Sequence, residues 1–404
     1  MLAKQISYQV IFNGINKVIG FLTTVLIFRI YQLEEIGEYF LLIGVLSIFI
    51  AITLIGSDKP LIKYNLKKDT IKENAILKTR IFLSILCYPL FIIYTILFLN
   101  IELKISLILL SSTLFLTCIS FEYLLLAKKK ILQLSIITSI AQFCVFFFFL
   151  FSYFYELKPN IVFHQIIISS FLSLIILIYA IAFLDFEFKQ IFKAKVISKY
   201  YFKENIIIII SIIFISIISA VDFIIANRIF SEYDLGIISG LLRYSLLSYG
   251  FLIIINKTLF SYSISSDYSK DFKFESKKMS KIYNLMSSII LLLLVYPYLK
   301  FVMNLQNFND ILVPAFIITV ATIFMPNFFL HINKIEILSK KYSAKYYLAY
   351  TIGFILIYYL TAVIILKKIN FSELYFFFSL IYLSKWILLN LFIIKISSVN
   401  TIKS

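Results

Sequence analysis

The chain has 404 residues, of which 61% are hydrophobic and 15% charged, and its formal net charge is +17. A soluble domain of this length cannot keep so much apolar surface from water. These figures exclude a water-soluble enzyme and leave a protein that lives in lipid.

Runs of about 20 apolar residues recur from end to end, and each crosses ~30 Å of hydrocarbon as a helix. In lipid the backbone of such a run can bond only to itself, so the runs are helices. Twelve spans are expected, at 6–30, 36–56, 80–99, 105–127, 131–153, 161–184, 205–229, 235–256, 280–302, 311–332, 346–366 and 372–394. The first follows no signal-peptide pattern, having no small-residue cleavage site after a short apolar core, and reads as a retained span. Cys87, Cys118 and Cys144 all fall inside apolar runs, and with His164 and His331 they make no metal spacing.

The links alternate in charge. Of the 38 lysines and arginines, 28 lie in the links after even-numbered spans or at the two ends, seven lie in the opposite links, and three lie within spans. By the positive-inside rule both termini are then cytoplasmic. Basic loops beside anionic lipid also account for the net charge without a nucleic-acid partner. No opposite-side link is longer than about ten residues, which leaves no outer domain in which to build a catalytic site.

One stretch occurs twice. Arg29-Ile30-Tyr31-Gln32-Leu33-Glu34-Glu35-Ile36-Gly37 returns 199 residues later as Arg228-Ile229-Phe230-Ser231-Glu232-Tyr233-Asp234-Leu235-Gly236. Each copy ends one apolar run and begins the next, as the turn of a helical hairpin at the membrane face. Tyr88-Pro89 in span 3 and Tyr296-Pro297 in span 9 make a second pair, and a longer basic loop before span 9 absorbs the difference in offset. Proline frees a backbone bond within a span and can hinge it; Pro314 and Pro326 put two more in span 10. The expectation is an all-α integral membrane protein of twelve transmembrane helices. Its two six-helix lobes form a parallel repeat around a pseudo-twofold axis along the membrane normal and enclose a central cavity. The lobes are 1–184 and 205–404. Between them, residues 185–204 carry Phe188, Ile191, Phe192 and Val196 at helical spacing among lysines, which predicts an amphipathic helix in the cytoplasmic interface.

Three segments resemble a known family. Phe28-Arg29-Ile30…Gly37-Glu38-Tyr39-Phe40 is similar to the opening of the polysaccharide flippases of the multidrug/oligosaccharidyl-lipid/polysaccharide exporter superfamily, where a span ends in Arg before a turn and Gly-x-Tyr. Gly56-Ser57-Asp58-Lys59-Pro60 resembles that family's glycine-containing exit from span 2, and Asp222-Phe223-Ile224-Ile225 its Asp-apolar-Ile-Ile pattern in span 7. The resemblance implies a bacterial inner-membrane protein with no enzymatic chemistry. It would flip an undecaprenyl-diphosphate-linked repeat unit from the cytoplasmic to the outer leaflet for O-antigen or capsule. The polymerase and chain-length machinery would be its partners. It implies no cofactor and leaves H⁺ or Na⁺ coupling open. The alternatives are a cation-coupled drug exporter of the same superfamily and, from another class, an O-antigen polymerase.

Ionisable residues inside spans are costly and point to a partner or a wet cavity. Arginine keeps its charge and grips phosphate with two donors, and three of the four arginines (Arg29, Arg228, Arg243) lie in spans or at their ends. With Lys17 and Lys385 they make a candidate cationic track for a lipid diphosphate. Arg29 and Arg228 also fit interfacial anchors, and Lys385 can snorkel to the inner surface beside Trp386. Lys17 is 12 residues before Arg29, about 18 Å along the helix and too deep to snorkel easily. Asp222 and Arg243 lie at equal depth on adjacent helices, so a salt bridge is expected between them, one for which phosphate or a proton could compete. Asp222 is therefore a candidate coupling or gating residue. Glu122 is the other, although pairing with Lys129 or a nearby loop also suits it.

Overall fold

The computed structural model describes residues 2–99, 101, 104–184, 188–195, 199–246, 288–305, 308–325, 328, 332, 344–370 and 373–399. Most of the basic links expected after spans 8 and 10, the inner part of span 8, and Pro326 lie outside the described residues. Within them the regular structure is helical. Among these residues eight helices are long and apolar enough to cross a membrane, and two further apolar helices are shorter. The chain is a polytopic membrane protein.

The helices in order are α1 (Leu2–Ile30), α2 (Leu33–Leu54), α3 (Asp58–Leu66), α4 (Thr70–Leu99), α5 (Ile105–Ser111), α6 (Thr113–Cys118), α7 (Glu122–Ala127), α8 (Ile131–Phe154), α9 (Phe163–Phe183), α10 (Phe188–Lys193) and α11 (Lys199–Ile229). Then come α12 (232–246) and α13 (288–297), a π-helical turn Tyr298–Val302, α14 (Asn309–Ala321), α15 (Ala344–Leu366) and α16 (Leu374–Val399).

Two expectations change. The fourth span, Ile105–Ala127, remains one candidate crossing, but its helix is interrupted into α5, α6 and α7, at Ser112 and at Ile119–Phe121. Ser111, Ser112, Thr113 and Thr117 each donate a hydroxyl proton to a carbonyl three residues back, offering the backbone an alternative partner along this stretch. The expected loop 57–80 is in fact folded. It forms α3 and the first three turns of α4, which begins ten residues before the apolar run. At 30 residues, α4 is about 45 Å long, well beyond the hydrocarbon thickness.

The turn into α3 is tight. Ile55 and Gly56 both have positive φ (45° and 58°), a conformation costly for a β-branched residue and free only for glycine. A Cβ on Gly56 would lie 3.1 Å from the Ile209 Cα, so the turn is seated on the backbone of α11. At the other proline pair, Pro297 immediately precedes the π-helical turn. There the missing proline N–H lets the ladder widen.

The chain divides into two compact units, each described by itself. The first holds Met1–Tyr31 and Leu42–Ser216, and the second holds Gln32–Leu41 and the described residues from Ile217 onward. In the first, α1 lies along α8, α8 along α9, and α3 on α7 and α4. The short helix α10 is held there too. Ile191 is buried, and Lys78 donates to the carbonyls of Phe192 (2.9 Å) and Ala194 (2.7 Å) at its end. Of the expected apolar face, Ile191 points into the protein while Phe192 is exposed. The side chains of Phe188 and Val196 lie outside the described residues. In the second unit α14 packs along α16, and α15 beside it.

Candidate functional site

The two hairpin turns are built alike, bond for bond. Tyr31 N–H donates to Ile27 (3.0 Å) and Ile36 N–H to Gln32 (3.1 Å) in one. Phe230 N–H donates to Ala226 (2.9 Å) and Leu235 N–H to Ser231 (2.8 Å) in the other. Each turn has a helix-start cap at the same place. Glu35 accepts the Gln32 N–H (3.1 Å), and Ser231 accepts the Asp234 N–H (3.2 Å) while donating its hydroxyl proton back to that carboxylate. The two glycines meet within the second unit: a Cβ on Gly37 would lie 2.8 Å from Gly236 N, and one on Gly236 only 2.1 Å from the Leu33 carbonyl oxygen. Arg29 and Arg228, in the last turns of α1 and α11, are both exposed.

Below the second turn lies the most buried charge pair among the described residues of this unit. Asp222 on α11 is 2% exposed and Lys385 on α16 is 0% exposed, and their side chains form a direct ion pair. Tyr358 of α15 donates to the other Asp222 oxygen at 2.7 Å. The Lys385 ammonium also donates to the Ile218 carbonyl (3.2 Å) and lies 4.6 Å from the Tyr382 ring centre and 4.8 Å from that of Trp386. Tyr382 in turn hydrogen-bonds Ser245 at 3.0 Å. Every polar atom of the pair is thus engaged, as low-dielectric surroundings require. An apolar groove of about 440 Å³ between α15 and α16 reaches the Tyr358 ring, passing Phe354, Thr361, Leu388 and Phe392.

This geometry corrects two expectations. Asp222 pairs with Lys385, not with Arg243, and Lys385 does not snorkel. Equal depth on adjacent helices permits a pair only if the faces meet, and the Asp222 face of α11 is turned to α15 and α16. Trp386 is buried in the same cluster and is no interfacial anchor. Arg243 on α12 is instead half-buried between two rings, 5.1 Å from the centre of Phe40 and 5.9 Å from that of Phe223. Its Nε is buried without a hydrogen-bond partner, and among the described residues no carboxylate pairs with it.

The other candidates are in the first unit. Lys17 is half-buried on α1, and Glu122 is half-buried in the first turn of α7. What residue-by-residue reading misses is the fourth arginine. Arg80, counted with the lysines of a loop, is 0% exposed. Its Nε donates to Ser57 Oγ at 2.5 Å and its Nη2 to Asp58 Oδ1 at 2.6 Å. Two turns earlier on the same face, Glu73 is 5% exposed and accepts from Tyr123 Oη (2.7 Å) and Asn65 Nδ2 (3.2 Å). Among the described residues no group of three or more His, Cys, Asp or Glu side chains is placed to hold a metal ion.

Among the described residues the chain is all-helical and polytopic, with ion pairs in its interior. Two solved structures share this fold over nearly the whole chain. One is a multidrug resistance MATE family transporter of the MOP superfamily in an inward-facing conformation, with TM-score 0.62, 11% identity, and 96% of each chain covered. The other is a MATE protein in a bent conformation, with TM-score 0.58, 9% identity, and 100% of this chain and 96% of that one covered. At such identity the likeness concerns the fold. No curated protein sequence matches the chain. Residues 2–266 match the profile of the polysaccharide biosynthesis protein family, and the chain belongs to that family.

Proposed function

We propose that this protein flips a lipid-diphosphate-linked oligosaccharide repeat unit from the cytoplasmic to the outer leaflet of the bacterial inner membrane, for O-antigen or capsule assembly. Twelve crossings in two parallel six-helix lobes, with both termini cytoplasmic, would work by alternating access around a cationic cavity. The matched hairpin turns and the family support this arrangement. The observation that carries the choice of passenger is Arg243. Its guanidinium is held by two aromatic faces, while the acid expected to neutralise it is engaged by Lys385. A guanidinium in that setting suits a phosphate, which it can take through two donors at once. Lys17, Arg29 and Arg228 would extend the track, and the Asp222–Lys385 pair would bias the lobes between states.

Complementation tests this. In cells deleted for their own flippase, wild type should restore surface polysaccharide. Arg243→Ala and Lys17→Ala should not, at equal membrane protein levels, and Arg243→Lys should restore it only in part. Restoration by both alanine variants would remove these residues from the mechanism. If wild type fails in every glycan background but confers drug efflux, the cation-coupled exporter reading takes over, in keeping with the multidrug transporters that share the fold.

A further inference from the structure

The transport reading makes no use of the buried carboxyl group of Glu73. It sits at the lysine-rich end of α4, where three elements converge. From α3 comes Asn65, whose Nδ2 lies 3.2 Å from both carboxylate oxygens. From α7 comes Tyr123, itself fully buried, donating at 2.7 Å. Among the described residues, three charged side chains near it are not paired with it. Arg80, seven residues on along α4, is engaged with Asp58 and Ser57. Lys128, exposed beyond the end of α7, acts on Glu73 only through its field. Lys72 is turned away to Asp69 and the Tyr64 ring. Among the described residues Glu73 is therefore a buried acid with neutral hydrogen-bond donors and no ion pair.

The same carboxyl group is one of two clasps on α3. Arg80 holds the start of α3 through Asp58, and Glu73 holds its end through Asn65. Docked α3 supplies Asn65 to the cover over Glu73, and a carboxyl group that moves between protein and water changes its affinity for a proton.

We infer that Glu73 is a proton-exchange site whose exchange with water accompanies undocking of α3. The ligand is H⁺, and the site would give the transport cycle a point of coupling in the first unit, separate from Asp222. This consequence rests on the transport reading; the site itself does not.

Infrared difference spectra of the purified full chain in lipid nanodiscs, titrated from about pH 4 to pH 9, test the site without any passenger. The expected result is one component of the protonated-carboxyl stretch that titrates in wild type, is missing from the Glu73→Gln spectra and persists in Asp222→Asn. Hydrogen exchange of the 58–66 amides, corrected for intrinsic rates, should depend on pH in wild type and not in Glu73→Gln. Titrations of wild type and Glu73→Gln that superpose overturn the inference. Where Glu73→Gln does not fold, Tyr123→Phe decides. Losing that donor should move the titration by roughly one to two pH units, and an unmoved titration overturns the proposal. A chain that shows the Glu73 titration but restores no polysaccharide would sink the transport reading alone.

Discussion

The two units place their buried charges differently along their helices. In the first, Arg80 and Glu73 stand in the opening turns of α4 and hold α3, a nine-residue helix that carries two lysines and an asparagine among its apolar residues. In the second, Asp222 lies about two turns inside the end of α11, and Lys385 three turns inside α16. These two helices are already long and apolar, and need no polar clasp to pack. The first unit's ion pair, Arg80 with Asp58, is explained by what it holds in place. The second is not, and a buried ion pair can often be exchanged for apolar side chains without loss of stability. That difference makes the Asp222–Lys385 pair the better functional candidate.

The largest expected effect comes from breaking that pair on one side only. Asp222→Asn should lower stability by ~3–5 kcal/mol by leaving Lys385 buried and unpaired, seen as a fall in the thermal unfolding midpoint in detergent. The double variant Asp222→Asn/Lys385→Met should recover most of that midpoint and still fail to restore polysaccharide. If it restores both, the pair is packing and the contrast between the units disappears. Next comes Arg80→Met, expected to cost ~2–3 kcal/mol by freeing Asp58 and Ser57. Its polysaccharide output should fall only in proportion to the protein present, and a loss beyond that would give the Arg80–Asp58 pair a functional role too. The smallest effect is Tyr358→Phe, about 1–2 kcal/mol for one hydrogen bond to a charged acceptor. It sharpens the comparison if transport drops while the unfolding midpoint barely moves.

Much of this was legible in the residues. Apolar runs mark most of the helices, because a membrane span must carry its hydrophobicity in one continuous stretch. The Arg…Gly stretch marks both hairpin turns. Asp222, Lys385 and Arg243 stand out singly as charges inside spans. Their pairing does not, since it depends on which faces of helices 163 residues apart are turned together. Arg80 and Glu73 are missed for another reason: the lysines around them make the stretch look like a loop. A helical stripe nevertheless runs back from the apolar part of α4, through Phe91, Cys87, Ser84, Arg80, Leu77, Ile76 and Glu73, all buried. Followed at its 3.6-residue period past the end of the apolar run, that stripe identifies both side chains as inward-facing. The broken fourth span leaves a weaker signal, its clustered serines and threonines.

The contact between Gly37 and Gly236 has a consequence for how the two turns can change over generations. The turns differ at Leu33 and Glu232, and at Glu34 and Tyr233. A side chain at Gly37 would grow into the backbone of Gly236, and one at Gly236 into the backbone of Leu33. Neither position can drift alone. A single methyl at 236 would push against the Leu33 carbonyl, and no rotamer relieves a clash made by Cβ itself. Two sites 199 residues apart are thereby bound to a shared fate, and a variant at one should be rescued only by a change that moves the opposite hairpin.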